Sequence, residues 1–246
     1  MKRSPLLLFA VLLAISMVSM SCGQTPETVR VATNGTYPPF SYVDDQGQLI
    51  GFDINLMNLI AEKEGFKVEY VKVDLSPLLE GMAQGTYDAA ISAISITEAR
   101  QKDMLFSEPY FISGHVITVG VMNNTITGKD SLSGKVVGVE EGSTSAADVS
   151  KMQDVTAKHY ADFPVAFDDL MNGKIDAIVS DGTIASLHAA NYPGQLKIVG
   201  EPFTQENYGI AVSKSKPELL EKINAGVAAL KAEGMLDQLT QKWLPQ

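Results

Sequence analysis

Two segments of this chain share one pattern, and that repeat constrains the fold more than any other feature. Residues 81–93 read GMAQGTYDAAISA, and residues 169–181 read DLMNGKIDAIVSD. Each segment runs from the end of a helical stretch through a glycine and an Asp-Ala pair into an apolar strand that ends in polar residues. Helices that alternate with buried apolar strands indicate a parallel sheet with crossover helices. We therefore expect two similar α/β units in one chain.

The first of these strands leads into a cluster of hydroxyl groups and an arginine. Ser92, Ser95 and Thr97 are followed at once by Arg100. Thr97 is a natural N-cap, and Glu98 suits the first turn of a helix that begins there. The free N–H groups of such a turn bind small anions, and an arginine can grip a carboxylate with two parallel hydrogen bonds. On this segment alone, the alternative to an anion-binding site is an ordinary capped turn with an arginine on the surface.

The second strand ends on a carboxylate, Asp181. One unit would then deliver a cation with hydroxyl groups, and the other unit a negative charge. Ligands in open α/β sheets bind outside the carboxyl ends of the strands, where both polar clusters fall. The pair of units predicts a site for a zwitterion.

The remaining pattern is an alternation of strands and helices, and 246 residues are enough for two compact lobes. We predict helices at 53–64 (capped by Asp53), 77–84, 165–172 and 183–191 and after Pro217. We predict strands at 29–33, 67–73, 89–93, 135–139, 177–180 and 208–212. The apolar stretch 111–121 is predicted as a strand that leads from one lobe into the other.

The first residues describe a secretion signal. Lys2 and Arg3 precede an apolar stretch over 6–20, which is short for a transmembrane helix of about 20 apolar residues. We assign the signal peptide to 1–21 and a polar linker to 22–28.

Cys22 is the only cysteine of the chain, so no internal disulfide is possible. Its place just after the apolar stretch resembles that of the lipid-modified cysteine of bacterial lipoproteins. Ser19 and Ser21 would also suit ordinary signal peptidase. We favour lipidation of Cys22, because a sole cysteine at this point is otherwise unexplained.

Charge and histidine placement exclude other classes of protein. The chain carries a formal net charge of −10, which argues against binding nucleic acid. Its three histidines, His115, His159 and His188, fit no metal-ligand spacing, and no phosphate-binding glycine loop occurs. We predict neither a metal nor a cofactor.

At this point the chain resembles a known family, the amino-acid-binding proteins of ABC transporters (bacterial extracellular solute-binding proteins, family 3). The segments that carry the resemblance are ATNGTYPPFSY, GFDINL, GTYDAAISAISITEARQKDMLFSEPYF, GKVVGVEEGST, GKIDAIVSDG and YGIAVSK. The resemblance implies an α/β, two-lobed periplasmic-binding-protein-like fold (type II). Each lobe would hold a mostly parallel sheet flanked by helices, and two hinge strands would let the lobes close on the ligand. Lobe 1 would comprise 29–112 and 207–246, and lobe 2 would comprise 113–206.

The resemblance also implies roles for single residues. Arg100 would bind the ligand α-carboxylate, helped by Ser95 and by the backbone near Ala93 and Thr144, while Asp181 would bind the α-ammonium. Tyr37 and Phe52 would sandwich the ligand side chain, and Asn34, Glu140 and Ser180 would lie near its tip. Alternatives stay open: Tyr37 and Phe52 as core aromatics, and Glu140 as a solvated charge at the end of a strand.

The expected function is therefore delivery of a free L-amino acid to an ABC transporter permease by a monomer in the periplasm or on the cell surface. The chain would touch the membrane only through a lipid on Cys22. A carboxylate at Glu140 opposes an acidic ligand, so we favour arginine or lysine, and then glutamine or histidine. One rival is a cyclohexadienyl or arogenate dehydratase on the same fold. Ile184 stands where the family resemblance places the acid of that enzyme, and Glu140 is the residue that could serve instead. The other rival is a ligand-sensing module for a membrane partner.

Overall fold

The structure, a computed structural model, describes residues 26–244. The predicted signal peptide and Cys22 lie outside these residues. Within them, no helix has the length and apolar character needed to cross a membrane.

The helices of the described chain are, in order, α1 (Phe52–Glu64), α2 (Leu75–Ala83), α3 (Glu98–Gln101), α4 (Thr144–Val149), α5 (Phe163–Met171), α6 (Gly182–Asn191), α7 (Pro217–Ala232) and α8 (Met235–Trp243). The strands up to the middle of the chain are β1 (Thr28–Thr33), β2 (Thr36–Tyr37), β3 (Ser41–Val43), β4 (Leu49–Ile50), β5 (Lys67–Lys72), β6 (Ala89–Ala90), β7 (Leu105–Phe106) and β8 (Phe111–Ser113). The later strands are β9 (His115–Gly120), β10 (Val136–Glu140), β11 (Thr156–Tyr160), β12 (Ala177–Asp181), β13 (Leu196–Val199), β14 (Glu206–Tyr208) and β15 (Ala211–Val212).

Two five-stranded sheets form the centres of two lobes. The sheet of lobe 1 has the order β5-β1-β6-β15-β7, and the sheet of lobe 2 has the order β11-β10-β12-β9-β13. In each sheet the first three strands are parallel, and the last two run antiparallel to their neighbours. Because the parallel strands of each sheet end at the same edge, their following loops are brought together there.

An antiparallel ribbon of two strands runs between the sheets. β8 pairs with β14, with Phe111 opposite Tyr208 and Ser113 opposite Glu206. The predicted single strand over 111–121 is broken at Gly114 into β8 and β9. A side chain at Gly114 would place its Cβ only 2.5 Å from the Thr204 carbonyl oxygen, so the close approach of the two segments requires glycine.

The predicted cap of the first long helix is wrong. α1 begins at Phe52, and its N-cap is Gly51, whose φ of 134° few other residues adopt. Asp53 lies inside the helix and is fully buried. Its Oδ2 instead accepts a hydrogen bond from the Ala93 N–H at 2.7 Å.

Several other predicted elements have different bounds. α2 begins at Leu75 rather than at residue 77, and β6 ends at Ala90 rather than at residue 93. The predicted strand over 208–212 is divided between β14 and β15. α5 begins two residues earlier than predicted, because Asp162 accepts a hydrogen bond from the Val165 N–H at 3.3 Å and caps the helix.

The lobe 1 core contains a cluster of aromatic rings next to the ribbon. Phe40 contacts three of them edge to face, with ring centroids 5.9 Å from Phe52, 5.2 Å from Phe111 and 5.4 Å from Tyr208. Lobe 2 has a separate core of buried aliphatic side chains between its sheet and α4. The rigid cores support the strand ends that line the space between the lobes.

Candidate functional site

A small pocket lies between the two lobes at the ends of four strands. Asn34 follows β1, Ser95 follows β6, Glu140 ends β10 and Asp181 ends β12. The residues that line it are Asn34, Tyr37, Leu75, Ser92, Ala93, Ile94, Ser95, Arg100, Glu140, Ser143, Thr144 and Asp181. The strand ends thus converge where the sequence predicts a ligand site.

Arg100 reaches from lobe 1 to lobe 2. Thr97 caps α3 as predicted, since its Oγ1 accepts a hydrogen bond from the Arg100 N–H at 3.2 Å. The guanidinium donates to the Ser95 carbonyl oxygen at 2.8 Å and to the Gly142 carbonyl oxygen of lobe 2 at 3.0 Å. Burial lowers the pKa of this guanidinium, and the carboxylates of Glu206, Asp181 and Glu140 oppose that shift. Among the described residues, the guanidinium is oriented by these two carbonyl groups and forms no hydrogen bond with a carboxylate.

The turn after β6 is held by Asp53. Ala93 has a φ of 48°, in the left-handed region that a non-glycine residue seldom adopts. Its N–H donates to Asp53, so this N–H is engaged within the protein, and the backbone help expected near Ala93 stays a prediction for the neighbouring groups. Burial raises the pKa of Asp53 to about 7, although the Ala93 hydrogen bond works against this shift. Asp53 therefore shapes the pocket from behind, a role that the sequence analysis missed.

Asp181 in lobe 2 pairs with Tyr37 in lobe 1. The Tyr37 hydroxyl donates to Asp181 Oδ2 at 2.5 Å. Asp181 Oδ1 is buried and accepts no hydrogen bond by distance and angle within 26–244, although the Tyr208 hydroxyl is close enough to lower the pKa of this carboxyl. Burial raises the pKa of Asp181, while the charge of His115 and the Tyr37 hydrogen bond lower it.

Glu140 is 2% exposed, so the interpretation as a solvated strand-end charge is wrong. Its Oε1 accepts a hydrogen bond from Asn34 Nδ2 at 3.3 Å, again across the cleft. Burial raises its pKa to about 8, and the charges of Asp181, Asp162 and Asp74 add to the effect. Arg100 lowers this pKa but does not offset those causes. The pocket therefore holds a carboxyl group whose negative charge lacks compensation.

Two residues proposed for the site lie elsewhere. Phe52 is fully buried in the lobe 1 core and does not line the pocket. The prediction that it packs against the ligand side chain is therefore wrong, and Phe52 is a core aromatic residue. Ser180 is also fully buried, and its hydroxyl lies 3.4 Å from the carbonyl oxygen of Asp181. Leu75, at the start of α2, is an apolar side chain that lines the pocket together with Tyr37 and Ile94. An apolar residue at the start of a helix gives no sequence signal that separates pocket from core.

One group of potential metal ligands occurs among the described residues: His115, Asp148 and Glu206. Asp148 Oδ2 lies 3.2 Å from His115 Nδ1, whereas Glu206 Oε1 lies 3.9 Å from His115 Nε2. The carboxylates thus approach opposite nitrogens of the ring. A single ion binds one imidazole nitrogen, so this arrangement fits an ion pair better than a metal site.

A comparison with known families covers almost the whole described chain. Residues 29–246 match the bacterial extracellular solute-binding proteins, family 3. The chain belongs to this family. The resemblance inferred from the sequence motifs is confirmed.

Individual relatives of this family-3 protein bind different amino acids. The L-cystine-binding protein TcyJ of Escherichia coli is 33% identical over 218 residues, which cover 88% of this chain and 82% of the relative. The lysine/arginine/ornithine-binding periplasmic protein of Escherichia coli is 31% identical over 255 residues, which cover 99% of this chain and 97% of the relative.

Among solved structures, an ancestral arginine-binding protein bound to arginine superposes with a TM-score of 0.84 at 42% identity. The match covers 88% of this chain and 98% of the ancestral one. The predicted two-lobed α/β fold is thereby confirmed.

Proposed function

We propose that this family-3 protein binds a free L-amino acid as a zwitterion and delivers it to the permease of an ABC importer. Arg100 would bind the α-carboxylate from lobe 1, and Asp181 would bind the α-ammonium from lobe 2. A zwitterion that leaves water needs both charges met, since desolvation costs several kcal/mol per ion. The guanidinium hydrogen bonds only to carbonyl groups and Asp181 Oδ1 is unpartnered within the described residues, which supports this division of roles.

The ligand we propose is basic, arginine or lysine first, and glutamine or histidine after them. The observation that carries this proposal is the burial of Glu140 in the pocket, with a pKa raised to about 8. A guanidinium or ammonium group at the ligand tip would supply the positive charge that this carboxylate lacks. The arginine-binding and the lysine/arginine/ornithine-binding relatives support the same choice.

The delivery step rests on cleft closure. We propose that lobe 1 (29–112 and 207–246) and lobe 2 (113–206) turn about the ribbon of β8 and β14. Each lobe holds half of the charged groups, so only the closed state makes every contact with the ligand. We also propose a monomer, held at the membrane in the periplasm or on the cell surface by a lipid on Cys22.

We propose binding without catalysis. The rival dehydratase needs a general acid beside the substrate, and its place is taken by Ile184, a buried hydrocarbon side chain that cannot donate a proton. We expect purified protein to leave arogenate and prephenate unchanged. Turnover of either compound would contradict the proposal.

Calorimetric titration of the purified chain with arginine, lysine, glutamine, cystine and glutamate tests the ligand. We expect arginine or lysine to bind most tightly, and the Glu140→Gln variant to lose affinity for both while its affinity for glutamine changes little. Glu141→Gln is the matched control, because it removes an exposed carboxylate next to Glu140 in the chain and Glu141 does not line the pocket. Tightest binding of glutamate or cystine, or unchanged arginine affinity in Glu140→Gln, would overturn the choice of a basic ligand.

A further inference from the structure

His115 is a buried ring that touches the pocket wall from behind. It begins β9, directly after Gly114, and is 1% exposed. Its Nε2 lies 3.2 Å from Thr144 Oγ1, within hydrogen-bond distance. His115 does not line the pocket itself, whereas Thr144 does. Any effect of this histidine on a ligand would therefore pass through Thr144.

The ring has little freedom to turn. Asp148 Oδ2 lies 3.2 Å from Nδ1, and Glu206 Oε1 lies 3.9 Å from Nε2. The Phe203 ring packs edge to face against the imidazole at a centroid distance of 6.0 Å. The His115 N–H donates to Thr204 Oγ1 at 2.8 Å, which ties the backbone to the segment that returns toward the ribbon. The imidazole is thus enclosed on both sides, and its one side-chain hydrogen bond among the described residues is that of Nε2 with Thr144.

The side chain of Thr144 needs a hydrogen-bond partner to select one rotamer. Its branched side chain can turn either its hydroxyl or its methyl group toward the cleft, because threonine adopts more than one χ1 rotamer in a helix. In the structure Thr144 Oγ1 lies 3.4 Å from Ser95 Oγ of the opposite lobe. The contact with His115 favours the rotamer that presents the hydroxyl to Ser95 and to the pocket.

We propose that His115 is a positioning residue for ligand binding, which holds the Thr144 hydroxyl in place where the two lobes meet. This inference rests on the proposed function, since it requires an amino acid in the cleft. It assigns to His115 a role in affinity without any contact to the ligand. It also explains why an imidazole is enclosed by two carboxylates at the base of the hinge ribbon.

Two substitutions separate this role from simple packing. The amide of His115→Gln reaches about the position of Nε2 and can keep the Thr144 hydrogen bond, whereas the shorter amide of His115→Asn reaches only the position of Nδ1. We expect His115→Asn to weaken arginine binding by about three- to tenfold, the range for one neutral hydrogen bond, and His115→Gln to stay within about twofold of wild type. In a Thr144→Val background, His115→Asn should cause no further loss, because its partner is already absent.

Equal loss in His115→Gln and His115→Asn, or an undiminished effect of His115→Asn in the Thr144→Val background, would overturn the proposal. If His115→Asn does not fold, the proposal is tested instead by the NMR resonances of the imidazole nitrogens, starting from the wild-type protein. Thr144→Val and saturation with arginine should each shift the Nε2 resonance of His115, and an unchanged resonance in both would overturn the proposal. A wild-type protein that binds no amino acid would instead refute the proposed function, so the two failures are distinguishable.

Discussion

Tyr37 and Asp181 meet across the cleft, with the phenolic hydroxyl donating to the Asp181 carboxylate at 2.5 Å. Burial is the largest cause that raises the pKa of each group, so the hydrogen bond joins two side chains withdrawn from water. It leaves Asp181 Oδ1 for a further donor from the pocket. The same bond links the lobes and prepares the carboxylate for an ammonium group.

Tyr37→Phe should therefore weaken ligand binding while keeping the aromatic ring. A hydrogen bond to a charged group contributes about 1.5–3 kcal/mol, so we expect a loss of roughly tenfold or more in affinity. Calorimetry with arginine measures it. Tyr42→Phe is the matched control, because Tyr42 does not line the pocket. Equal affinities of Tyr37→Phe and wild type would show that the hydroxyl does not support Asp181.

Removal of either proposed charge partner should have a larger effect. Arg100→Ala and Asp181→Ala should each cost about 2–5 kcal/mol of binding free energy, because a buried charge of the ligand is left unmet. Lys102→Ala, which removes an exposed cation two residues beyond Arg100, serves as the control. Near wild-type affinity in both alanine variants would contradict the zwitterion site.

Binding of arginine should be linked to loss of a proton from Glu140. In the structure its pKa is raised to about 8, so much of this carboxyl is protonated at neutral pH. A guanidinium beside it would lower that pKa and release the proton. Affinity for arginine should rise with pH up to about 8, while affinity for glutamine changes less. Calorimetric titrations in buffers of different ionisation enthalpy measure the number of protons released when arginine binds. If Glu140→Gln still releases the proton, Glu140 is not its source.

The same raised pKa values predict how stability depends on pH in the unliganded protein. The pKa of Glu140 rises from 4.5 to about 8 and that of Asp53 from 3.8 to about 7, so the folded state binds more protons than the unfolded state between these limits. Where the folded state binds more protons, the free energy of unfolding falls as pH rises. The stabilisation of the folded state by protonated Glu140 and Asp53 is complete below their ordinary pKa values. It is lost as pH rises through their raised pKa values in the folded state.

Denaturant unfolding across this pH range checks that prediction. The slope of the unfolding free energy against pH should decrease in Glu140→Gln and in Asp53→Asn. A variant at an exposed carboxyl, such as Glu62→Gln, should keep the wild-type slope. An unchanged slope in both buried-site variants would show that neither group carries the effect.

Ligand should also compact the molecule. Among the described residues, four hydrogen bonds cross the cleft: Tyr37 with Asp181, Asn34 with Glu140, Arg100 with Gly142, and Ser95 with Thr144. A ligand that binds both lobes shifts the population toward this closed arrangement. Small-angle scattering should give a smaller radius of gyration with saturating arginine, and the Arg100→Ala variant should not respond at the same concentration. An identical profile with and without arginine would exclude a closing motion.

Local patterns were sufficient for much of the architecture. The Asp-Ala strands, the Thr97 cap and the polar strand ends are encoded within a few residues, so the two α/β units and the end of the sheet that carries the site were predictable. Asp181 was recognisable because it ends a buried strand and so lies at the edge of its sheet, and Arg100 was recognisable because it closely follows the Thr97 cap.

The sequence by itself thus determined the two α/β units through local periodicity, and it determined the family and its two-lobed fold through motifs that resemble that family. Only the tertiary structure decided which side chains face the cleft. Phe52 packs in the core while Leu75 lines the pocket, although both are apolar residues at the start of a helix. Asp53 supports the turn at Ala93, and His115 lies behind Thr144, through contacts between residues far apart in the chain. The direction of a side chain depends on how its helix or strand is rotated against a neighbour, and that rotation is fixed by packing across the whole lobe.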